Sequence, residues 1–191
     1  MTLPNAERAS GSDNRPVQPR VRDGVPDDAA EIRAVASAAW QDTYAGLLQP
    51  STIGAFVETA YSVEMLERRI AQQTFLVAEK DGRIVAFANA VIRDNAVNLT
   101  AIYTLPNDRG QGLGTMLLRV LGTRFPGLPI AADVLRGNRK GETFYERRGF
   151  APREILHAEL FGELVVERRW WLGSPPPQVN QRDGSRDIRE R

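Results

Sequence analysis

The pattern in this sequence most directly tied to chemistry is a short glycine-rich segment, Arg-Gly-Gln-Gly-Leu-Gly-Thr, at residues 109–115. This segment, called the glycine loop below, stands where a strand pattern gives way to a helix pattern. Glycine lets the backbone turn sharply and approach a ligand closely. The first N–H groups of a helix lack partners inside the helix and carry partial positive charge. The loop therefore predicts a phosphate or pyrophosphate site, and the alternative is a glycine-rich turn without a ligand.

Two familiar phosphate motifs match the glycine loop poorly. A P-loop needs a lysine directly after its last glycine, and position 115 is Thr. A dinucleotide fingerprint needs its third glycine one residue later than Gly114, although Asp133 lies about where its ribose-binding acid would stand. The loop also follows a run of strands rather than the first strand of a βαβ unit. A nicotinamide-dependent enzyme is therefore only the third interpretation.

Composition excludes several classes of chemistry. The 191 residues include 25 basic and 24 acidic side chains, so a net charge of +1 gives no electrostatic footprint for nucleic acid. Without cysteine, and with His157 as the single histidine, the chain has no disulfide, thiolate site or multi-histidine metal centre, and we expect no metal. No apolar run approaches about 20 residues, and Met1–Arg20 lacks the apolar core of a signal peptide. We expect no membrane partner and a cytoplasmic location.

The elements that must position the glycine loop follow from hydrophobic periodicity. Residues 1–19 and 174–191 are polar and rich in proline, so we expect them to be disordered tails around one domain at 20–173. A capping box of Asp28 and Glu31 starts the first helix. The predicted helices run from Pro26 to the break at Gly46, over 51–60, from Ser62 to about 70, over 112–125 and over 138–148. The predicted strands are 20–22, 74–79, 83–92, 96–104, 129–135, 150–156 and 158–171.

This element order predicts an α/β (α+β) fold. Strands joined by short turns, such as Asp81-Gly82, form antiparallel hairpins. A helix between the strands at 96–104 and 129–135 makes one parallel crossover. The sheet is therefore mixed and mostly antiparallel, with helices around it.

Two blocks of this sequence resemble the GNAT superfamily of N-acetyltransferases. Residues 102–114 resemble its acetyl-CoA-binding motif, a strand ending in proline followed by Arg/Gln-x-x-Gly-x-Gly/Ala. Asn138 and the segment 144–150, Phe-Tyr-Glu-Arg-Arg-Gly-Phe, resemble its second block. The resemblance spans Val21–Leu172. The segment Trp-Gln-Asp-Thr-Tyr at 40–44, followed by Gly46, is also similar to bacterial members grouped with polyamine acetyltransferases.

The resemblance implies a central sheet splayed at the cofactor site and a set of residue roles. The backbone of Ile102, Tyr103 and Thr104 would pair with the pantetheine arm, and Asn138 would contact it. Tyr145 would protonate the leaving thiolate. Trp40 and Tyr44 would line the acceptor pocket. Backbone amides of the glycine loop would hold the CoA pyrophosphate, namely those of Arg109, Gly110, Gln111, Gly112, Leu113, Gly114 and Thr115.

Each of these roles has a structural alternative. Asn138 could cap its helix with or without a cofactor contact. Tyr145, Trp40 and Tyr44 could be core aromatics. Glutamate-arginine runs such as 146–148 and 167–169 are interpreted as solvated faces.

One departure from the family pattern concerns the proton acceptor. Many relatives have a glutamate on the strand before the glycine loop, but residues 97–102 contain no acid. An amine of pKa near 10 must lose a proton before it attacks. Asp42 or Glu58 is the candidate base, unless the acceptor is a weaker base or the activity is low.

The expected function is an acetyl-CoA-dependent N-acyltransferase, in which a primary amine of a small molecule or peptide attacks the thioester directly. The absence of cysteine agrees with a mechanism that needs no covalent nucleophile. The alternative is a CoA- or nucleotide-binding sensor without turnover, favoured by the missing strand acid. Formation of a homodimer is left open.

Overall fold

The computed structural model describes residues 18–176 and 186–187, and in this part of the chain eight strands form one sheet. The strands are β1 Arg20–Asp23, β2 Thr74–Lys80, β3 Arg83–Arg93, β4 Ala96–Thr104, β5 Ile130–Leu135, β6 Ala151–Leu160, β7 Glu163–Leu172 and the two-residue β8 Arg186–Asp187. The helices are α1 Ala29–Tyr44, α2 Pro50–Ala60, α3 Val63–Gln72, α4 Leu113–Arg124 and α5 Arg139–Glu146.

The strand order is β1-β2-β3-β4-β5-β7-β6-β8, and every pair is antiparallel except β4–β5 and β6–β8. Helix α4 joins β4 to β5 and supplies the predicted crossover. The mixed, mostly antiparallel fold class is thereby confirmed.

Helices cover both faces of the sheet, because alternate strand residues point in opposite directions. On β2, Phe75 and Val77 pack in a core with α1, α2 and α3. Leu76 and Ala78 pack on the other face, in a core with α4 and with residues of α5. The two layers leave the ends of β4 and β5 to face the start of α4.

The sheet separates between β4 and β5. Their parallel register runs only from Val97–Ile130 to Leu99–Ala132, although both strands continue beyond it. The separation begins at a β-bulge: Ala90 pairs with Leu99 and Asn89 with Ala101, which leaves Thr100 as the extra residue. A bulge bends its strand and increases the local twist. From Thr100 onward, β4 therefore diverges from β5, and the predicted splay is present.

Hydrogen bonds hold this bulge in place. The Thr100 hydroxyl lies 2.9 Å from Asn89 Oδ1 and 3.1 Å from the Asn89 carbonyl oxygen, and it can donate to either. Asn89 is 1% exposed and donates its own Nδ2 to the Thr74 carbonyl at 3.2 Å. A buried amide with partners on both sides fixes the position at which the sheet opens.

The structure corrects the predicted capping box. Asp28 Oδ2 accepts from Val25 N at 2.8 Å, and the Asp28 carboxylate also takes two hydrogen bonds from Arg22. Glu31 accepts from Ile84 N at 3.0 Å instead of capping α1. Asp28 thus stays at the start of the helical segment, whereas a distant backbone group takes the Glu31 carboxylate away from it.

The predicted break between the last two strands at His157 is wrong. β6 continues to Leu160, and the hairpin turns at Phe161 and Gly162, which have φ angles of 50° and 83°. Two residues in the left-handed region form a tight hairpin turn. This turn places Val165 in the core and leaves Leu164 83% exposed.

Most of the predicted tails, 1–19 and 174–191, lies outside the described residues, so the domain boundaries stay predictions. None of the described helices combines the length and apolar character needed to cross a membrane.

Candidate active site

The glycine loop leads into α4 with its backbone in a conformation that favours glycine. Gly110 and Gly112 have φ angles of +80° and +82°, and Gly112 is the N-cap residue of α4. No atom lies within 4 Å of a Cβ built at either position. The loop therefore presents open space and the first N–H groups of α4 to a ligand.

Gly114 has a different role in packing. A Cβ at Gly114 would lie 2.7 Å from Cε2 and 2.9 Å from Cζ of Phe144. Glycine at this position lets α4 approach α5 closely. The approach brings the start of α4 and the face of α5 to opposite walls of the same cleft.

That cleft has a volume of about 620 Å³ and runs from the glycine loop into the gap between β4 and β5. The structure brings nearly all of the sequence-predicted cofactor residues to its walls: Ile102, Tyr103, Thr104, Arg109, Gly110, Gly112, Leu113, Gly114, Thr115 and Asn138. Gln111 does not line the cleft; its Oε1 accepts from Lys80 Nζ at 2.9 Å.

A charged bridge spans the cleft beside the loop. Arg109 forms an ion pair with Asp42 of α1 and donates to Thr43 Oγ1 at 3.2 Å. Lys140 of α5 reaches the same carboxylate at 2.9 Å. Hydrogen bonds from Arg109 and then Lys140 lower the pKa of Asp42. The bridge leaves Asp42 outside the lining of the cleft, where it holds two cations.

Neither candidate base predicted from the sequence lies at the site. Asp42 is the anion of the bridge just described, which makes it a poorer base. Glu58 is an exposed residue of α2, paired with Arg33 at 2.6 Å, and it lines no cavity of the site. Helical periodicity placed both acids on helices near the sheet but could not show which way they face.

Asn138 caps α5, as one of its two interpretations predicts. Its Oδ1 accepts from Gly141 N at 2.9 Å, and the residue is 8% exposed on the wall of the cleft. The cap fixes where α5 begins. The seven residues from Asn138 to Tyr145 are two helical turns, so both side chains reach the cleft.

Tyr145 lies in the cleft and is 7% exposed. Its ring makes edge contacts with Phe144 and Phe150, with centroids 5.1 and 5.0 Å apart. Burial raises the pKa of the hydroxyl well above its usual value, with Tyr44 and Asp133 adding to the effect. The hydroxyl therefore stays protonated at neutral pH and can donate a hydrogen bond inside the cleft.

Arg148 is a cleft residue that the sequence analysis missed. Its guanidinium lies 3.7 Å from the centroid of the Phe144 ring and donates to Thr115 Oγ1 at 2.6 and 3.0 Å. It thus places a positive charge beside the first turn of α4. The run Glu-Arg-Arg at 146–148 was interpreted as a solvated face. The one sequence signal that Arg148 lies at the site is its position directly before Gly149-Phe150, the end of the second block.

A smaller cavity of about 50 Å³ adjoins the cleft. Both residues predicted to line the acceptor pocket line it. The Trp40 ring stacks on Phe56 with centroids 3.9 Å apart, and the ring centroids of Tyr44 and Trp40 are 4.4 Å apart. Its other aromatic walls are Tyr61 and Tyr103. The residues common to the cavity and the cleft are Tyr44, Thr100, Tyr103 and Asp133.

Two carboxylates line this smaller cavity, which is called the acceptor cavity below after the role predicted for Trp40 and Tyr44. Asp133 of β5 accepts two hydrogen bonds from Arg169, at 2.6 and 2.7 Å, and its side chain is 6% exposed. Glu167 of β7 is the second. The sequence signal for Asp133 was an acidic residue within the apolar segment 129–135, Pro-Ile-Ala-Ala-Asp-Val-Leu. Glu167 gave no such signal, because the charged run 167–169 was interpreted as a solvated face. Among the described residues, no group of three potential ligands forms a metal site.

Comparisons with known proteins agree with this geometry. The model of the acetyltransferase (GNAT) domain matches residues 71–152. A spermidine N(1)-acetyltransferase of Thermoplasma acidophilum is 28% identical over 150 residues, which cover 74% of this chain and 93% of that protein. Both matches are to GNAT acetyltransferases or their domain, in agreement with the resemblance seen in the sequence. These similarities support the predicted class of enzyme, an acyltransferase that uses acetyl-CoA.

More distant relatives share the length and the fold. A probable N-acetyltransferase of Mycobacterium tuberculosis is 25% identical over 175 residues, covering 85% of this chain and 99% of that protein. The crystal structure of the PaiA N-acetyltransferase from T. acidophilum, in complex with coenzyme A, superimposes with a TM-score of 0.70 at 24% identity. That match covers 79% of this chain and 98% of the other, so the two structures share their fold.

Proposed function

We propose that this protein transfers the acetyl group of acetyl-CoA to a primary amine of a small molecule, by direct attack of the amine on the thioester. The observation that supports this most is the junction of the large cleft with an aromatic cavity that contains carboxylates. A cofactor held along the cleft and an amine held in the cavity would meet at Thr100, Tyr103 and Asp133. Alignment of two reactants in one site can supply a large part of the rate enhancement.

The cofactor end of the site suits a CoA molecule. The glycine loop offers free N–H groups to the pyrophosphate, and Arg147, Arg148 and Lys140 add positive charge around the same cleft. Beyond Leu99, the edge of β4 that faces β5 pairs with no strand in the described part of the chain, so its backbone can pair with the amides of a pantetheine arm. The same edge offers an N–H group to the thioester carbonyl oxygen, where negative charge develops.

The proton balance of the reaction assigns work to two groups. The ammonium of the acceptor loses one proton before attack; the amine then forms the new C–N bond, and the C–S bond breaks. The thiolate takes a proton from Tyr145, and Tyr145 regains one from the nitrogen that becomes the amide. We assign the proton of the ammonium to Glu167, through water, because it is a carboxylate in the acceptor cavity. Asp133, whose two oxygens already accept from Arg169, holds the ammonium in position.

Two measurements test this function. Acetyl-CoA should raise the melting temperature of the protein by mass action while NADH does not, and acetyl-CoA should release thiol in the presence of small primary amines. Binding of acetyl-CoA without thiol release for any amine would favour the sensor instead. No stabilisation by millimolar acetyl-CoA would contradict both. We also expect the enzyme to act in the bacterial cytoplasm, where its co-substrate is available.

The role of Glu167 has its own test. Glu167→Gln should lower kcat/KM by roughly 100-fold and remove the acid limb of its pH profile, since general base catalysis is typically worth about 10²–10⁴-fold. Glu159→Gln is the matched control, because Glu159 is exposed on the neighbouring β6 and lines neither cavity. An unchanged acid limb in Glu167→Gln would exclude it as the proton acceptor.

A further inference from the structure

Arg69 of α3 lines the acceptor cavity and is only 5% exposed. Its Nη2 donates to the Ala60 carbonyl at the end of α2, and its guanidinium carbon lies 5.1 Å from the centroid of the Tyr61 ring. Its Nε is buried and has no hydrogen-bond partner. Across the described residues, Arg69 forms no ion pair with a carboxylate. A buried charge without a counter-charge is costly unless a ligand supplies one.

The position of Arg69 separates it from the reacting centre. Arg69 lines only the small cavity, whereas Asp133 and Thr100 also line the large cleft. An amine that attacks a thioester in the cleft must lie at the shared wall. Whatever meets Arg69 therefore lies on the side of the acceptor away from that amine.

The balance of charge around the cavity points the same way. Asp133, Glu167 and Arg69 line the cavity, and Arg169, outside the lining, pairs with Asp133, so two carboxylates and two guanidiniums surround it. A polyamine would bring several positive charges and no negative one to this balanced set. An acceptor with one ammonium and one carboxylate would leave it balanced. Burial lowers the pKa of Arg69, the direction expected for a cation in a site that disfavours its charge.

We propose that the natural acceptor carries a carboxylate that pairs with Arg69, and therefore belongs to the small amino acids rather than to the polyamines. A cavity of about 50 Å³ admits a group of only a few atoms, as a carboxylate is. This inference rests on the proposed acetyl transfer and names its substrate class. It departs from the similar spermidine acetyltransferase, whose name specifies a polyamine.

The test compares acceptors that differ in one group. Thiol release from acetyl-CoA is measured with 4-aminobutyrate, its amide, butylamine and spermidine, together with glycine and β-alanine to vary the spacing between the two charges. We expect the best carboxylated acceptor to exceed its uncharged counterpart in kcat/KM by about 10- to 100-fold, the range expected for hydrogen bonds to charged groups.

Variants of Arg69 then test whether this residue causes the preference for carboxylated acceptors. Arg69→Gln should lower kcat/KM for the carboxylated acceptor by about 10- to 100-fold and leave butylamine within about threefold. Arg69→Lys should keep part of the preference. Arg33→Gln is the matched control: Arg33 donates to the Tyr61 carbonyl at 2.9 Å, beside the same end of α2, but lines neither cavity. It should keep the full preference.

The outcomes separate this inference from the proposed function. Equal rates with carboxylated and uncharged amines in the wild type, or fastest turnover of spermidine, would overturn the inference while leaving acetyl transfer intact. The same holds if Arg69→Gln keeps the preference. If Arg69→Gln does not fold, the wild-type comparison and Arg69→Lys still decide. Absence of turnover for every amine would refute the proposed function itself.

Discussion

Replacement of Tyr145 by phenylalanine removes a single hydroxyl from the cleft. The ring contacts with Phe144 and Phe150 are kept, because phenylalanine has the same ring. Among the described residues, the Tyr145 hydroxyl has no hydrogen-bond partner whose loss would destabilise the fold. We therefore expect the free energy of unfolding to change by no more than about 0.5 kcal/mol.

The catalytic effect of Tyr145→Phe can be sized from the chemistry of the leaving group. General acid catalysis is typically worth about 10²–10⁴-fold. A thiol has a pKa near 8.5, so a thiolate is already a fair leaving group, and we expect the low end of that range. A 100-fold loss in kcat corresponds to about 2.7 kcal/mol of transition-state stabilisation. The affinity for acetyl-CoA should be nearly unchanged.

The assay exploits the dependence on the leaving thiol. Wild type and Tyr145→Phe are compared with acetyl-CoA and with an acetyl thioester of an acidic aromatic thiol, under conditions in which chemistry limits the rate. If Tyr145 protonates the leaving thiolate, the deficit should be near 100-fold with acetyl-CoA and should nearly vanish with the acidic thiol. A deficit that is equal for both thioesters would refute the assignment, and so would the absence of any deficit.

Two further predictions concern the glycine loop and the buried tyrosines. Gly112→Ala should lower acetyl-CoA affinity and cost about 1–2 kcal/mol of stability, because its φ of +82° is strained for alanine; Gly114→Ala should instead cost about 1–3 kcal/mol through overpacking against Phe144. Equal unfolding free energies and affinities for both variants and wild type would contradict this. Burial raises the pKa of Tyr61 to about 12, so its stabilising contribution is complete below pH 10 and is lost between pH 10 and 12, on the order of 3 kcal/mol. Tyr61→Phe should reduce the slope of unfolding free energy against pH in that window, and an unchanged slope would exclude Tyr61 as its source.

The elements that carry strong local patterns were predictable from the sequence. The Asp81-Gly82 turn has both residues at positive φ, as a tight hairpin requires, and β4 has the predicted bounds, 96–104. Ser62 caps α3 with its side chain accepting from Met65 N at 3.2 Å. Local patterns succeed at these places because the determinant of the structure lies within a few residues of chain.

The failures occur where a distant partner decides the structure. Glu31 has capping-box spacing, but its carboxylate meets the Ile84 N–H of β3, 53 residues away. The hairpin at Phe161 lacks the usual Asn-Gly or Asp-Gly turn, and the Phe161 ring packs edge-on against Phe56 with centroids 6.4 Å apart. Sequence periodicity cannot predict either the Glu31–Ile84 or the Phe161–Phe56 contact.

The same distinction holds at the site. The cofactor residues fall in one continuous motif, so their positions around the cleft could be anticipated. The acceptor cavity is assembled from separate elements, with Trp40 from α1, Arg69 from α3, Asp133 from β5 and Glu167 from β7. Charge patterns along the chain made Glu167 look solvent-exposed, because its neighbours in sequence are charged. Only the register between β5 and β7 shows that it faces the site.

The missing acid on β4 and the bulge at Thr100 belong to one arrangement. The strand β4 contains no acid, and the hydroxyl of its bulge residue Thr100 is engaged by Asn89 where the sheet opens. A side chain committed to shaping the gap cannot also serve as the base. The acids that could do so lie across the gap, on β5 and β7, in the cavity that also contains Arg69. A base in this cavity lies in the same pocket as Arg69, the residue that would select the amine substrate. In this protein, deprotonation of the amine and recognition of its carboxylate would therefore depend on the same small cavity.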